Sequence, residues 1–293
     1  MNEWDLIRNF KRQIPRKLQG ELGIGDDADV LKLPSSSLVC TTDVIVEDVD
    51  FRLSQAKPQQ IGHKALAVNL SDLAAMGAKP LGYLVSLGLS PKVDSKWVAK
   101  MYQGLLRLSN EYGIKCLGGD LSKADQVFVS ITALGIPYAK KVITRAGARP
   151  GDLIAVTGSL GGSILRHHLE FSPRLKESEF LVRNFHLTAM IDISDGFTQD
   201  LEHILKASSV SCEINLEKIP VSRDASRSLQ RALSDGEDFE LLFTLPRREK
   251  EKLDRLWKKR FPKVRLSWVG EIKKGTPKIL NLRLSQKGYT HFS

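Results

Sequence analysis

Apolar residues recur along the chain with two spacings, one typical of amphipathic helices and the other of β-strands. Helical spacing is clearest between residues 59 and 76, where Gly77 provides a suitable end. Short apolar runs rich in β-branched residues, bounded by turn residues, indicate strands. The pattern predicts helices at 3–19, 59–76, 96–112, 161–170, 198–207 and 249–260, and strands at 30–33, 38–46, 81–89, 127–136, 153–157, 189–193, 211–216, 239–245 and 266–272.

A segment rich in Gly and Pro, residues 145–152, separates two such series of elements and predicts a domain boundary. Strands and helices are mixed on both sides of it, which indicates an α/β or α+β architecture. The length of 293 residues is typical of about two domains.

The composition is that of an ordinary globular protein, with 42% hydrophobic and 27% charged residues. It excludes a disordered or collagen-like chain. No apolar run approaches the roughly 18 residues that span a bilayer, and the first residues lack the apolar core of a secretory signal. Cys40, Cys116 and Cys212 lie far apart, which favours reduced thiols and a cytoplasmic location.

The net charge of +10 is concentrated in residues 247–265, which hold ten Lys or Arg and three acidic residues. Leu253, Leu256 and Trp257 recur there at helical spacing, which predicts a surface helix with a solvated basic face. A nucleic-acid-associated protein is an alternative that predicts strongly salt-dependent binding. No zinc-finger spacing or aromatic-interleaved basic motif supports it, so nucleic acid is not the expected partner.

Aspartates stand at the ends of apolar elements or beside glycines, although carboxylates are rarely buried unless paired or bound to metal. One Asp after Gly is more often a turn or a helix cap, but Asp72 lies in mid-helix on an apolar stretch. Hard oxygen ligands suit Mg²⁺, which usually shares its coordination with phosphate. The set is Asp26, Asp27, Asp43, Asp72, Asp120, Asp192 and Asp195, with hydroxyls of Thr41, Thr42 and Ser194 nearby.

Two glycine-rich stretches, Gly118-Gly119 and residues 157–163, could bind phosphate through backbone amides or could simply be strand-to-helix turns. The chain has no P-loop motif and no protein-kinase catalytic loop. It also lacks a nucleophile elbow and any histidine spacing typical of zinc sites. If the chain binds ATP, it therefore does so with a fold other than that of P-loop proteins or protein kinases.

In sequence order, these motifs resemble the thiamine-monophosphate kinase family, of the superfamily that includes aminoimidazole ribonucleotide synthetase and selenophosphate synthetase. The block from Gly62 to Pro80 carries the most specific part of the resemblance. The matching segments are 23–28, 41–47, 62–80, 118–120, Arg145, 192–196, 236–244 and 288–292.

The resemblance implies an α/β (α+β) fold and phosphorylation of thiamine monophosphate to thiamine diphosphate by ATP, with several Mg²⁺ ions and, in addition, K⁺. It implies an N-terminal α/β domain (1–138) that binds ATP and Mg²⁺ and forms a homodimer through its sheet. A C-terminal α+β domain (139–293) would complete the nucleotide and substrate site. The implied Mg²⁺ ligands are Asp27, Thr41, Thr42, Asp43, Asp72, Asp120, Asp192 and Asp195; the implied ATP contacts are Tyr102, Gly119, Asp120, Arg145 and Ser194; and the implied thiamine contacts are Glu237 and Tyr289.

Three positions depart from the family pattern. Asp50 stands where the family usually has a His that binds the substrate phosphate, and a carboxylate cannot donate a hydrogen bond to phosphate unless it is protonated. Leu121 replaces a common Thr, and Asp235 replaces a Gly. Asp50 is therefore retained as a candidate substrate-site residue. Another ATP-dependent enzyme of the superfamily, with a different acceptor, is the alternative that it favours, and a weakly active nucleotide-binding protein is a further one.

Overall fold

The computed structural model describes residues 26–32 and 37–282, so the predicted helix at 3–19 and the segment containing Tyr289 lie outside the described part. The strands are β1 (Asp29–Lys32), β2 (Ser37–Val46), β3 (Ala78–Leu89), β4 (Lys115–Lys123), β5 (Phe128–Pro137), β6 (Asp152–Thr157), β7 (Ala189–Asp192), β8 (Ser211–Ile214), β9 (Leu241–Pro246) and β10 (Leu266–Lys273). The α-helices are α1 (Pro58–Ala75), α2 (Ser95–Tyr112), α3 (Leu175–Asn184), α4 (Phe197–Ser208), α5 (Leu229–Ser234) and α6 (Lys250–Arg260).

The strands form two five-stranded sheets, in the orders β1-β2-β5-β3-β4 and β7-β9-β6-β10-β8. All pairs are antiparallel except β3 with β4. The first sheet ends at Pro137 and the second begins at Asp152, on either side of the Gly- and Pro-rich segment. The mixed α/β fold expected from the sequence is confirmed.

The central helix α1 is buried along most of its length, because it packs on the first sheet, on α2 and on β7. Two glycines allow the close approach of α1 and α2. A Cβ atom at Gly62 would lie 1.9 Å from the Met101 carbonyl oxygen, and one at Gly104 would lie 1.8 Å from that of Gln59. This packing carries the polar end of α1, including Asp72, into the contact with the second sheet.

The predicted helix at 161–170 is wrong. Gly161 and Gly162 have φ of +85° and +80°, and the chain continues as two short 3-10 turns, Ser163–Leu165 and His167–Leu169. Such φ values are open to glycine and interrupt a regular right-handed helix. The sequence pattern also missed β4, α3 and α5. Every residue of β4 is exposed, so this edge strand has no apolar alternation to reveal it.

The first sheet has an outer face that no described segment covers fully. Leu31 and Val44 are each 53% exposed, and Leu84 is 43% exposed. Leu117 and Leu121 on the edge strand β4 are also exposed. Within the described ranges, no helix has both the length and the apolar character needed to cross a membrane.

Candidate active site

An acidic cluster lies where α1 contacts strand β7 of the second sheet. Asp27 precedes β1, Asp72 lies in the last turn of α1 and Asp192 ends β7. One carboxylate oxygen from each of these three residues lies within 4.8 Å of the others. The structure thus brings together carboxylates that are separated by up to 165 residues in the chain.

Hydroxyl groups orient the carboxylates of this cluster. Thr41 on β2 donates a hydrogen bond to Asp72 Oδ2, and its Oγ1 lies 3.3 Å from the Asp27 carbonyl oxygen. Ser71 donates to Asp192 Oδ2 at 2.6 Å. Asp43, two residues beyond Thr41 on the same strand, interacts with the Asp72 carboxyl group. The cluster therefore contains most of the oxygen ligands that the sequence predicted.

Burial and mutual repulsion raise the pKa of these carboxyl groups. Burial raises the pKa of Asp192 to about 8, and the charge of Asp27 adds to the shift. Burial raises the pKa of Asp43 to about 6. The pKa of Asp72 lies well above its ordinary value because of burial and the charge of Asp43. A site with more buried carboxylates than cations fits a hard divalent cation such as Mg²⁺.

Arg145, in the segment of the chain that connects β5 to β6, supplies a fixed positive charge beside the cluster. Its Nη2 and Nε atoms lie 2.7 and 3.3 Å from the two carboxylate oxygens of Asp27. Its backbone N–H donates to Asp26, whose pKa is raised to about 6 by burial and by the charge of Asp27. The guanidinium is thus rigidly placed next to the acidic cluster.

A second acidic group follows β7. Oxygen and nitrogen atoms of Asp195, Asp200 and His203 lie within 4.8 Å of one another. Asp200 accepts hydrogen bonds from the backbone N–H groups of Asp195 and Gly196, each at 3.1 Å. It therefore stabilises the turn that presents Asp195. The sequence prediction missed Asp200 and His203, which follow the acidic motif within the next helix.

A pocket of about 600 Å³ opens beside Asp43 and Asp195. Ser194 lines it, and the Ser194 carbonyl oxygen accepts a hydrogen bond from Glu237 N at 2.7 Å. The other lining residues include Val49, Asp50, Lys64, Val68, Ile164, Arg231, Asp235, Glu237 and Phe239. A cavity of this size with a few convergent polar groups is typical of a small-molecule site.

Two residues that depart from the family pattern, Asp50 and Asp235, line the pocket and accept hydrogen bonds from nearby groups. The Asp50 carboxylate accepts a hydrogen bond from Val46 N at 2.8 Å and so stabilises its own loop. The Asp235 carboxylate accepts from Gly162 N and from Arg231 Nε, each at 2.9 Å. Lys64, which pairs with Glu237, and its neighbour His168 were missed by the sequence analysis.

Two predicted metal ligands, Thr42 and Asp120, and two predicted ATP contacts, Gly119 and Tyr102, lie away from the acidic cluster. The Thr42 side chain is on the outer face of the sheet, where its hydroxyl lies 3.1 Å from that of Thr132. Asp120 and Gly119 lie on the exposed edge strand β4. Tyr102 is half-buried on α2, and Tyr289 lies outside the described residues. The described chain does not gather these residues around Asp72.

We expect the cluster to make stability depend on pH and Mg²⁺. Because Asp43, Asp72 and Asp192 have raised pKa values, the unfolded chain loses these protons at lower pH than the folded chain does. The free energy of unfolding in EDTA should therefore fall between about pH 4 and 8, by up to about 1.4 kcal/mol per pH unit and group. Mg²⁺ requires deprotonated ligands, so its stabilisation should grow over the same range.

Thermal unfolding with EDTA or Mg²⁺ at several pH values measures this effect. The Asp72→Asn variant is the control, because it removes one titrating group and should flatten the pH profile in EDTA. A melting temperature that rises with pH in EDTA, or an equal Mg²⁺ effect at all pH values, would contradict the expectation.

Comparison with known proteins shows to which class of protein this chain belongs. Residues 25–137 match the family model described as AIR synthase related protein, N-terminal domain. The chain is 41% identical over 254 residues to a thiamine-monophosphate kinase of Rhodopirellula baltica, covering 81% of this chain and 79% of that protein. It is 33% identical to the thiamine-monophosphate kinase of Bacillus subtilis, with both chains fully covered.

A solved structure described as AaThiL complexed with AMPPCP and TMP superposes with a TM-score of 0.86, at 29% identity and with 99% and 97% of the two chains covered. The chain belongs to the thiamine-monophosphate kinase family, which is a family of phosphotransferases. The resemblance seen in the sequence is thereby confirmed.

Proposed function

We propose that the chain transfers the γ-phosphoryl group of ATP directly to the phosphate of thiamine monophosphate, which gives thiamine diphosphate. The observation that carries this proposal is the convergence of Asp27, Asp72 and Asp192 with Arg145 beside the pocket that contains Glu237. Family membership and the relative bound to AMPPCP and TMP support it.

The reaction needs charge neutralisation more than proton abstraction. The acceptor is a phosphate monoester with a second pKa of about 6, so it is mostly dianionic at neutral pH and needs no general base. Its approach to the ATP polyanion is the electrostatic difficulty. When bound, Mg²⁺ neutralises phosphate charge and helps to align the reacting groups.

The chain's own residues would share this work as follows. Asp27, Asp43, Asp72, Asp192 and Asp195 would hold the metal ions, with Thr41 orienting Asp72. Arg145, fixed against Asp27, would contact the ATP phosphates. Ser194 would contact the nucleotide as well, and Glu237 the thiamine part of the acceptor. We propose that the units 1–138 and 139–293 act as two domains that meet at this site.

Asp50 should weaken substrate binding through its charge. Its carboxylate lines the pocket and already accepts Val46 N–H, so it offers no donor to a phosphate. We expect Asp50→Asn, which retains an acceptor oxygen, to lower KM for thiamine monophosphate about threefold with kcat little changed. Steady-state kinetics with the matched variant Asp48→Asn, in the same loop, measures this. A raised KM in Asp50→Asn would show that the negative charge assists binding.

The competing acceptor hypothesis is tested by ADP release with a panel of phosphorylated and carboxylated small molecules. The proposal predicts fast, Mg²⁺-dependent ADP release with thiamine monophosphate and only background release with the other acceptors. Efficient turnover of another acceptor, with none of thiamine monophosphate, would favour the alternative enzyme of the same superfamily.

We also propose a homodimer that forms through the outer face of the first sheet, where Leu31, Val44 and Leu84 are exposed. Asp120 pairs in register with Ser86 on this exposed face. Three strand spacings of about 4.8 Å separate Asp120 from β2, or about 14 Å in all. Asp120 would therefore serve the active site of the second copy.

Mixed dimers test this arrangement. Asp72→Asn and Asp120→Asn should each be inactive alone. When the two variants are unfolded and refolded together, about a quarter of the sites should become intact if Asp120 acts across the interface. Sedimentation verifies the dimer, and refolding each variant alone is the control. A monomer, or no recovery in mixed dimers, would contradict the proposal.

A further inference from the structure

A buried lysine lies at the wall of the pocket. Lys64 on α1 is only 1% exposed, although lysine is among the residues least often fully buried. Its Nζ atom lies 2.9 Å from the Asp50 carbonyl oxygen and 3.0 Å from His168 Nδ1, and it forms an ion pair with Glu237. An ammonium group has three N–H donors, and three polar groups already surround this one. Lys64 is therefore occupied with its neighbours and not offered to a phosphate.

His168, from the second half of the chain, contacts both Lys64 and Glu237. Its ring is buried, and Nδ1 lies 3.1 Å from Glu237 Oε2 as well as near Lys64. A ring nitrogen carries at most one proton, so Nδ1 either accepts from Lys64 or donates to Glu237. In both arrangements the Glu237 carboxylate stays between a fixed cation and the imidazole. Burial alone would raise the pKa of Glu237, but His168 and Lys64 hold it below its ordinary value.

The backbone of Glu237 is fixed as firmly as its side chain. Glu237 has a φ of +62°, which a non-glycine residue rarely adopts unless its surroundings impose it. Its N–H donates to the Ser194 carbonyl oxygen, next to Asp195. The side chain of Glu237 is 25% exposed and lines the pocket. A charged group held this rigidly at a pocket wall is preorganised for a ligand.

We propose that Lys64 and His168 are positioning residues, which fix the ionised carboxylate of Glu237 in the orientation that recognises the thiamine part of the substrate. The proposal rests on the proposed function and deepens it. The ligand chemistry that a fixed carboxylate selects is an organic cation or an aromatic amine, and thiamine carries both a thiazolium charge and an amino group. The Lys64 ammonium group also donates to the Asp50 carbonyl oxygen, so it links the pocket loop of the first half to His168 and Glu237 of the second half.

Lys64→Met tests this role, because methionine retains much of the lysine stem and removes the charge. We expect KM for thiamine monophosphate to rise about tenfold or more, while kcat and KM for MgATP change less than about twofold. In a double-mutant cycle with Glu237→Gln, Lys64→Met should add less than about twofold, because its effect passes through Glu237. His168→Phe, which retains a buried ring, should raise the same KM by about threefold or more.

Arg174→Met is the matched control for loss of a buried cation. Arg174 Nε lies 2.7 Å from Glu240 Oε2, and neither residue lines the pocket. This variant should lose thermal stability as Lys64→Met does, but it should keep the wild-type KM for thiamine monophosphate. An equal rise of that KM in Arg174→Met would assign the Lys64 effect to general destabilisation and overturn the proposal.

Other outcomes separate this proposal from the proposed function. A wild-type enzyme that makes thiamine diphosphate, with KM unchanged in Lys64→Met and His168→Phe, would overturn only the positioning role. Additive effects in the cycle with Glu237→Gln would do the same. If Lys64→Met does not fold, His168→Phe and its own cycle with Glu237→Gln decide the question. Wild-type protein that makes no thiamine diphosphate would overturn both proposals.

Discussion

Asp72→Asn should abolish turnover while leaving the protein at least as stable as the wild type. Asp72 lies between Asp43, Asp27 and Asp192, so its carboxylate would be shared by the metal ions that the site holds. An amide oxygen is a weaker ligand without charge, and we expect kcat to fall about a thousandfold or more. The Thr41 hydroxyl can still donate to the amide oxygen, so the local hydrogen bond survives.

If Asp72→Asn is inactive but at least as stable as the wild type, its loss of activity arises at the site and not from unfolding. Removing one of several repelling, buried carboxylates should raise the melting temperature in EDTA by a few degrees, at about neutral pH. Asp94→Asn is the matched control, because Asp94 caps α2 by accepting Trp97 N–H at 2.8 Å and asparagine caps helices equally well. Near-normal kcat in Asp72→Asn, or loss of folding, would remove Asp72 from the proposed role.

Arg145→Met should also lower activity strongly, because it should weaken the interaction with ATP and not the binding of the metal ions. We expect kcat/KM for MgATP to fall about a hundredfold or more, because the variant would lose the fixed cation that we propose contacts the ATP phosphates. Asp27 also loses its partner at 2.7 Å, so the melting temperature should fall, most strongly in EDTA. Kinetics well below the melting temperature separate the two effects.

Arg145→Lys distinguishes charge from geometry at this position. Lysine restores the charge but not the two parallel contacts of Arg145 with Asp27, so we expect recovery of less than about tenfold. Arg174→Met again controls for the loss of a buried arginine. An unchanged KM for MgATP in Arg145→Met would show that Arg145 only balances the charge of Asp27.

Much of the fold could be predicted from the sequence, because segments with a regular apolar spacing form helices and strands that pack in the core. The helix at α1 and the strand β5 follow such patterns, and both predictions agree with the structure within two residues. The strand β4 could not be found in this way, because all its residues are exposed and two are glycines. The helix predicted at 161–170 failed because two glycines with positive φ redirect the chain.

Some residues of the candidate site could likewise be predicted from the sequence, and others could not. Asp72 could be predicted because a carboxylate in an apolar helix is costly unless it has a function. Lys64 gave no such signal, because a lysine near the start of a helix is ordinarily solvated. Its partners lie 104 and 173 residues further along the chain, and only the folded structure brings them together. Asp200 was missed because its role is to bind backbone N–H groups of a turn.

Transfer of the γ-phosphoryl group of ATP to thiamine monophosphate can be followed with ATP that carries ¹⁸O in that group. Purified protein is incubated with the labelled ATP, Mg²⁺ and thiamine monophosphate, and the products are analysed by mass spectrometry beside EDTA and Asp72→Asn controls. We expect thiamine diphosphate whose terminal phosphoryl group carries the label, formed only with Mg²⁺ and only by the wild type. Label found solely in free phosphate, or no thiamine diphosphate from protein that binds MgATP, would show that the chain does not transfer the phosphoryl group to thiamine monophosphate.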